Sequence, residues 1–239
     1  MNHKLLFVGV ALMMSLSANA DLRELVSEDV LKQIAEETSG EAAKRNLDTI
    51  TLKHRMRASN QFAEATQHVL RMAREYDLDD VELLTYPADS KTMYGTQKSR
   101  PVWDVRSAEL WELAEVDGEW IRSRRLGDWS SVPLSLAQDS LSGEANTTLV
   151  DIGAGTADGD YAGKNIRGKL VLTSSQPESV LEKAVGELGA AGIVSYAPNQ
   201  RSAWWKEDDR LVRWGHLPSF PNTKSFGFMI SLGEARNLQ

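Results

Sequence analysis

The chain contains no cysteine. That excludes disulfides, thiolate zinc sites, a cysteine nucleophile and a lipid anchor carried on cysteine. Histidine is scarce too, with four in 239 residues: His3, His54, His68 and His216. None has Asp two positions on, and no His-Glu-x-x-His run occurs. The local spacings of common zinc enzymes are therefore missing. Glu36-Glu37 is the one adjacent pair of glutamates, and it reads as helix surface. A serine hydrolase elbow, Gly-x-Ser-x-Gly, is absent, although Ser140 and His216 supply the residue types. Positive charge is in short supply: 27 Lys and Arg against 34 Asp and Glu give a net charge of −7. A nucleic-acid partner is not expected of such a surface. The longest apolar run, residues 5–16, falls short of the roughly 20 residues that cross a bilayer.

That run belongs to a processing signal. Lys4 precedes it, and Ala18-Asn19-Ala20 is a small-x-small cleavage site. The expectation is a signal peptide over 1–20, with Ala18 and Ala20 marking the cut. The mature chain then starts at Asp21 and is periplasmic or secreted, with no stable membrane anchor after cleavage.

The rest is organised around residues 149–196. Leu149-Val150-Asp151-Ile152-Gly153 reads as a strand and 154–165 as turns. Leu170-Val171-Leu172 is a short apolar run suited to a strand buried on both faces. Pro177 suits a helix's first turn. Val180, Leu181, Ala184, Val185 and Leu188 then recur at helical spacing. Gly189 is a stop, Gly192 lets the chain turn, and Ile193-Val194 is the next strand. Two apolar strands flanking a helix make a βαβ unit. Gly153-Ala154-Gly155 lacks the third glycine and the following helix of a dinucleotide fingerprint, and reads as a turn.

Four of these pieces, Leu149-Val150-Asp151-Ile152-Gly153, Gly168-Lys169-Leu170-Val171-Leu172, Glu182-Lys183-Ala184 and Gly189-Ala190-Ala191-Gly192-Ile193-Val194, resemble in order the protease-associated (PA) domain. The resemblance implies a non-catalytic insert that acts as a lid or interaction surface.

Before this stretch, residues 21–37 carry apolar residues near helical spacing. Thr38 and Glu41 have capping-box spacing ahead of a helix to about Lys53. Ser59 or Asn60 caps a third helix with Phe62, Ala65, Val69, Leu70, Ala73 and Tyr76 on its apolar face. Residues 81–86 read as a strand ending at Pro87. Ser39-Gly40-Glu41, His54-Arg55, Ser59, Tyr76-Asp77-Leu78-Asp79-Asp80-Val81 and Tyr86-Pro87 are similar to the start of M28-type zinc peptidases, in which a PA domain often interrupts the peptidase domain. Asp77 stands where that family often has Gly. Farther on, Asp117-Gly118 signals a hairpin, and Arg122, Arg124 and Arg125 read as a solvated strand face. Residues 226–231 read as a strand, followed by the start of a helix.

The expected fold class is α+β: N-terminal helices and a strand of an α/β zinc-peptidase domain over 21–87, then a PA domain over 88–239, β-rich with a βαβ unit. The resemblance implies an exopeptidase of aminopeptidase or carboxypeptidase type, with zinc ligands that lie after the PA insert. Those ligands are missing here. No catalytic or metal-binding residue is assigned to this chain, and zinc is expected only in a full-length M28 relative. The sequence reads as cut short, so a missing C-terminal peptidase domain is one expected partner. A peptide or protein substrate is the other. Trp204, Trp205, Arg213, Trp214 and His216 are the candidate contact residues, because Trp and Arg dominate binding hot spots. Two readings stay open for them: a peptide-binding surface, or packing against a peptidase domain. His216 alone also reads as a hydrogen-bonded loop histidine. The alternatives for the whole chain are a stand-alone extracellular peptide-binding module and an inactive truncated product.

Overall fold

The computed structural model describes residues 26–38, 40–198 and 208–239. The chain divides into two compact units, Met1–Thr49 and Ile50–Gln239. In the first, helix α1 (Glu28–Glu37) starts at Ser27, whose side chain accepts the Val30 N–H. Helix α2 (Gly40–Thr51) follows, its last two residues falling in the second unit.

The second unit opens with α3 (Asn60–Glu75), capped by Ser59 accepting from the Phe62 amide. Of its apolar stripe only Ala65 is buried; Phe62, Val69 and Tyr76 are exposed. The segment that follows departs from expectation. Residues 81–86 form no strand: among the described residues they pair with no other strand and their backbone makes no hydrogen bond. A strand exists only through its neighbour's ladder, and an apolar run alone cannot supply one.

Two ribbons come next: β1 (Met93–Tyr94) with β2 (Gln97–Lys98), and β3 (Glu109–Val116) with β4 (Glu119–Asp128). The second closes on Asp117 and Gly118, both at positive φ (53° and 86°), as a tight two-residue hairpin turn requires.

The core sheet is four parallel strands in chain order: β5 (Leu149–Asp151), β6 (Leu170–Thr173), β7 (Gly192–Ser195) and β8 (Gly227–Met229). Alternate side chains feed two cores, as the period of two in a strand dictates. Leu170, Leu172, Val194 and Phe228 face Trp103, Trp129, Leu110 and helix α5 (Leu232–Leu238). Val171 and Ile193 face Val180, Leu181 and Ala184 of the crossover helix. Each fully buried Leu, Ile or Val contributes about 1.5–3 kcal/mol, and together these residues form the core on both sides of the sheet.

The crossover helix begins as expected with Pro177 in its first turn, as α4 (Pro177–Val180), then winds as a π-helix over Leu181–Glu187. Its close is also wide, with the Leu188 amide reaching the Lys183 carbonyl at 3.1 Å. Gly189 ends it at φ +77°. Gly192, expected to turn the chain, lies instead inside β7, where a Cβ would stand 2.7 Å from the Phe226 ring. Its absent side chain makes room for that ring. The architecture is mixed α and β throughout.

Candidate functional site

Ligands of open parallel sheets gather outside the carboxyl ends of the strands. Here that edge carries the loop from β6 into α4, with Gln176 and Glu178, and a loop crossing in front, residues 211–217. The loop is pinned from behind. The Gln138 amide donates to the Gly215 carbonyl and the Leu217 amide to the Gln138 carbonyl, both at 2.8 Å. Gly215 is required at its position, because a Cβ there would meet the Met229 sulfur at 2.3 Å.

Three of the five expected contact residues lie on this loop, and two of them, Trp214 and His216, come together. His216 Nδ1 lies 3.1 Å from Glu178 Oε2. The Trp214 ring sits 4.8 Å from the imidazole, tilted by 39°. Gln176 Nε2 donates to the Trp214 carbonyl at 3.3 Å, and the Gln176 Oε1 atom is buried with no hydrogen-bond partner. Arg213 points the other way, donating to the Pro198 carbonyl at 2.9 Å. Trp204 and Trp205 lie outside the described residues, as do Ala18 and Ala20. Glu178, by engaging Nδ1, fixes the imidazole plane and leaves Nε2 as its remaining polar edge.

A nucleophile for acyl transfer is not at hand in Ser140. Its hydroxyl donates to the Ala137 carbonyl at 2.6 Å and accepts from the Gly227 amide at 3.0 Å, so it knits the segment around 137–140 to β8. Nor, among the described residues, do three or more His, Asp or Glu side chains converge so that they could hold a metal ion. The residues described do not fit the zinc centre of the M28 peptidases.

A buried polar knot supports the site from below. Asp139, at φ +64°, accepts from Arg57 Nη2 through Oδ1. Its Oδ2 accepts from Ser219 Oγ at 2.8 Å and from Gln138 Nε2 at 3.3 Å. Arg57 Nε also reaches the Pro101 carbonyl at 3.2 Å. Residues before α3 and beyond His216 thus meet on one carboxylate, and Arg57 ties in the segment between β2 and β3.

His54 is enclosed by two indoles, edge-on to Trp129 at 4.6 Å and to Trp103 at 6.3 Å. Burial, reinforced by the neighbouring Arg55 charge, holds its pKa below the ordinary histidine value. Asp128 moves down to about 2, because Ser131 and Ser130 hydroxyls and the Ser130 amide all donate to its carboxylate.

Gln138, Gln176 and Glu178 were not among the candidates from sequence. Their partners on the 211–217 loop are 38 or more positions away, and no local pattern announces them. The available signal was position: Gln176 and Glu178 begin the crossover just past the end of a buried parallel strand. Comparisons with protein families, with curated proteins and with solved structures returned no match.

Proposed function

We propose that this is an exported, non-catalytic protein built on a PA-type domain, corresponding to the amino-terminal part of an M28-like zinc exopeptidase. Residues 21–87 would contribute helices and a strand to a peptidase domain. Residues 88–239 would form the PA insert that shapes access to an active site carried by further sequence. The observation that supports this most is the pairing of α3, with its stripe turned to solvent, and the unladdered residues 81–86 directly behind it. An amphipathic helix followed by a strand-like apolar run is half of an α/β layer, and each lacks its other half among the described residues. The parallel β6–α4–β7 crossover supports the PA part. The leading 20 residues support export to the periplasm or beyond, and no helix among the described residues is long and apolar enough to cross a membrane.

The deciding experiment is a peptidase assay on the purified full chain. The expected result is no release of terminal amino acids from peptides, with or without added zinc. Turnover abolished by a chelator would overturn the reading.

A second reading has its own observation. Trp214 is half exposed, and its neighbour His216 is held in place by Glu178. These favour a stand-alone module that captures peptides over this loop. Peptide binding by the purified chain that weakens at least tenfold in Trp214→Ala would favour the module over the fragment.

A further inference from the structure

The β3–β4 ribbon is unevenly anchored. Its base is buried through Leu110, Gly127 and Asp128, whereas residues 115–123 are exposed throughout. Register shifts fall between Leu110 and Trp111 and between Glu112 and Leu113, where the ribbon leaves the core. Such bulges bend a ribbon and re-aim its outer part. The ribbon closes on a tight two-residue turn at Asp117 and Gly118.

That end is unusual in what it displays. Trp120 is 64% exposed, Ile121 48% and Val116 47%. The register places Trp120 opposite Glu115 and Ile121 opposite Ala114, so apolar side chains project from both faces. Lower on the ribbon the cations are already engaged. Arg122 pairs with Glu109, Arg124 with Glu112 and Glu234, and Arg125 with Asp128. At the end the acids are not. Glu115, Asp117 and Glu119 are exposed, and among the described residues their carboxylates make no ion pair. The exposed aromatic group is thus ringed by three uncompensated negative charges.

We propose that the outer end of this ribbon is a docking finger for a protein partner whose receiving surface is an apolar pocket bordered by lysine or arginine. Tryptophan is the residue most enriched at interface hot spots, and a rim of one charge sets partner choice and encounter rate. The same three carboxylates repel an anionic phospholipid surface, which is why a protein partner is the better fit than a membrane. The inference does not depend on the peptidase reading.

The test uses the full chain and two model peptides, helical repeats of Leu with Lys and of Leu with Glu, followed by calorimetry. Vesicles of phosphatidylcholine with and without phosphatidylglycerol serve as the membrane arm. The Leu/Lys peptide is expected to bind, more tightly at low salt, while the Leu/Glu peptide and both vesicles are not. Trp120→Ser should weaken binding at least tenfold, and Glu115→Gln with Glu119→Gln about fivefold, with unchanged melting temperatures. Should Trp120→Ser unfold the ribbon, the paired Gln variant still reads the rim. Equal affinity in the variants, no binding of the Leu/Lys peptide, or vesicle binding that depends on Trp120 would each overturn the proposal.

Discussion

Charging an imidazole packed between two indoles is costly. His54 has Trp129 and Trp103 on its flanks, and its Nδ1 atom is buried without a hydrogen-bond partner. Its folded pKa lies below that of the unfolded chain, so the folded protein binds fewer protons. The associated stability is complete above about pH 6.5 and is lost as the pH falls through the lower folded value. His54→Phe should remove this acid sensitivity, seen as urea midpoints that change less between about pH 7.5 and pH 5 than those of the wild type. The Asp139 knot makes a different demand. Asp139→Asn keeps a residue tolerant of positive φ and the contact to Ser219, but strips the charge facing Arg57. Breaking a buried pair costs about 3–5 kcal/mol; with Arg57 partly in water the loss should be nearer about 2 kcal/mol, measured by chemical denaturation. The cap at Ser59 was legible at this scale, three positions before the stripe begins at Phe62, whereas Thr38, expected to open a capping box, instead closes α1, its hydroxyl donating to the Ile34 carbonyl at 2.7 Å. The surroundings of His54 were not, because Trp103 and Trp129 arrive from 49 and 75 positions away.

Among the elements, the sequence pattern located the helices α1 to α4 and all four strands of the parallel sheet, though not the short 3-10 turns at Pro133–Ser135 and Asp158–Tyr161. It failed where an element is defined by a neighbour. Residues 81–86 have the composition of a strand and no ladder, and composition carries no information about who stands alongside. The winding of the crossover helix was equally hidden. A stripe of Val180, Leu181, Ala184 and Leu188 suits an α-helix or a π-helix, and the choice is made by packing against the sheet. Gly192 illustrates the same limit. Its conformation is that of an ordinary strand residue, and its identity is set by the ring of Phe226, 34 positions away. Gly192→Ala should therefore destabilise the fold by overpacking, by about 1–3 kcal/mol, with no loosening of the chain before β7. A thermal melt tests the size of the effect.

For the molecule as a whole, the exposed stripe of α3 has a solution signature. Phe62 and Val69 lie on one face of an amphipathic helix, and exposed apolar surface of that kind promotes association. Phe62→Ser with Val69→Ser should reduce concentration-dependent self-association in sedimentation velocity while leaving the melting temperature within a few degrees. A lowered melting temperature would mean that the stripe already serves this chain's own fold. The candidate site divides in the same way as the fold. Arg213, Trp214 and His216 stood out in sequence because aromatic and basic residues cluster there. Gln138, Gln176 and Glu178, which hold them, became visible only when the sheet gathered distant loops at one edge.

The succession of β5, β6, β7 and β8 across the sheet has a bearing on biogenesis. Each strand settles beside the one synthesised just before it, and none must wedge between two that are already joined. A chain emerging from the ribosome can lay down its sheet from one margin to the other in the order of translation, closing connections of 18, 18 and 31 residues in turn.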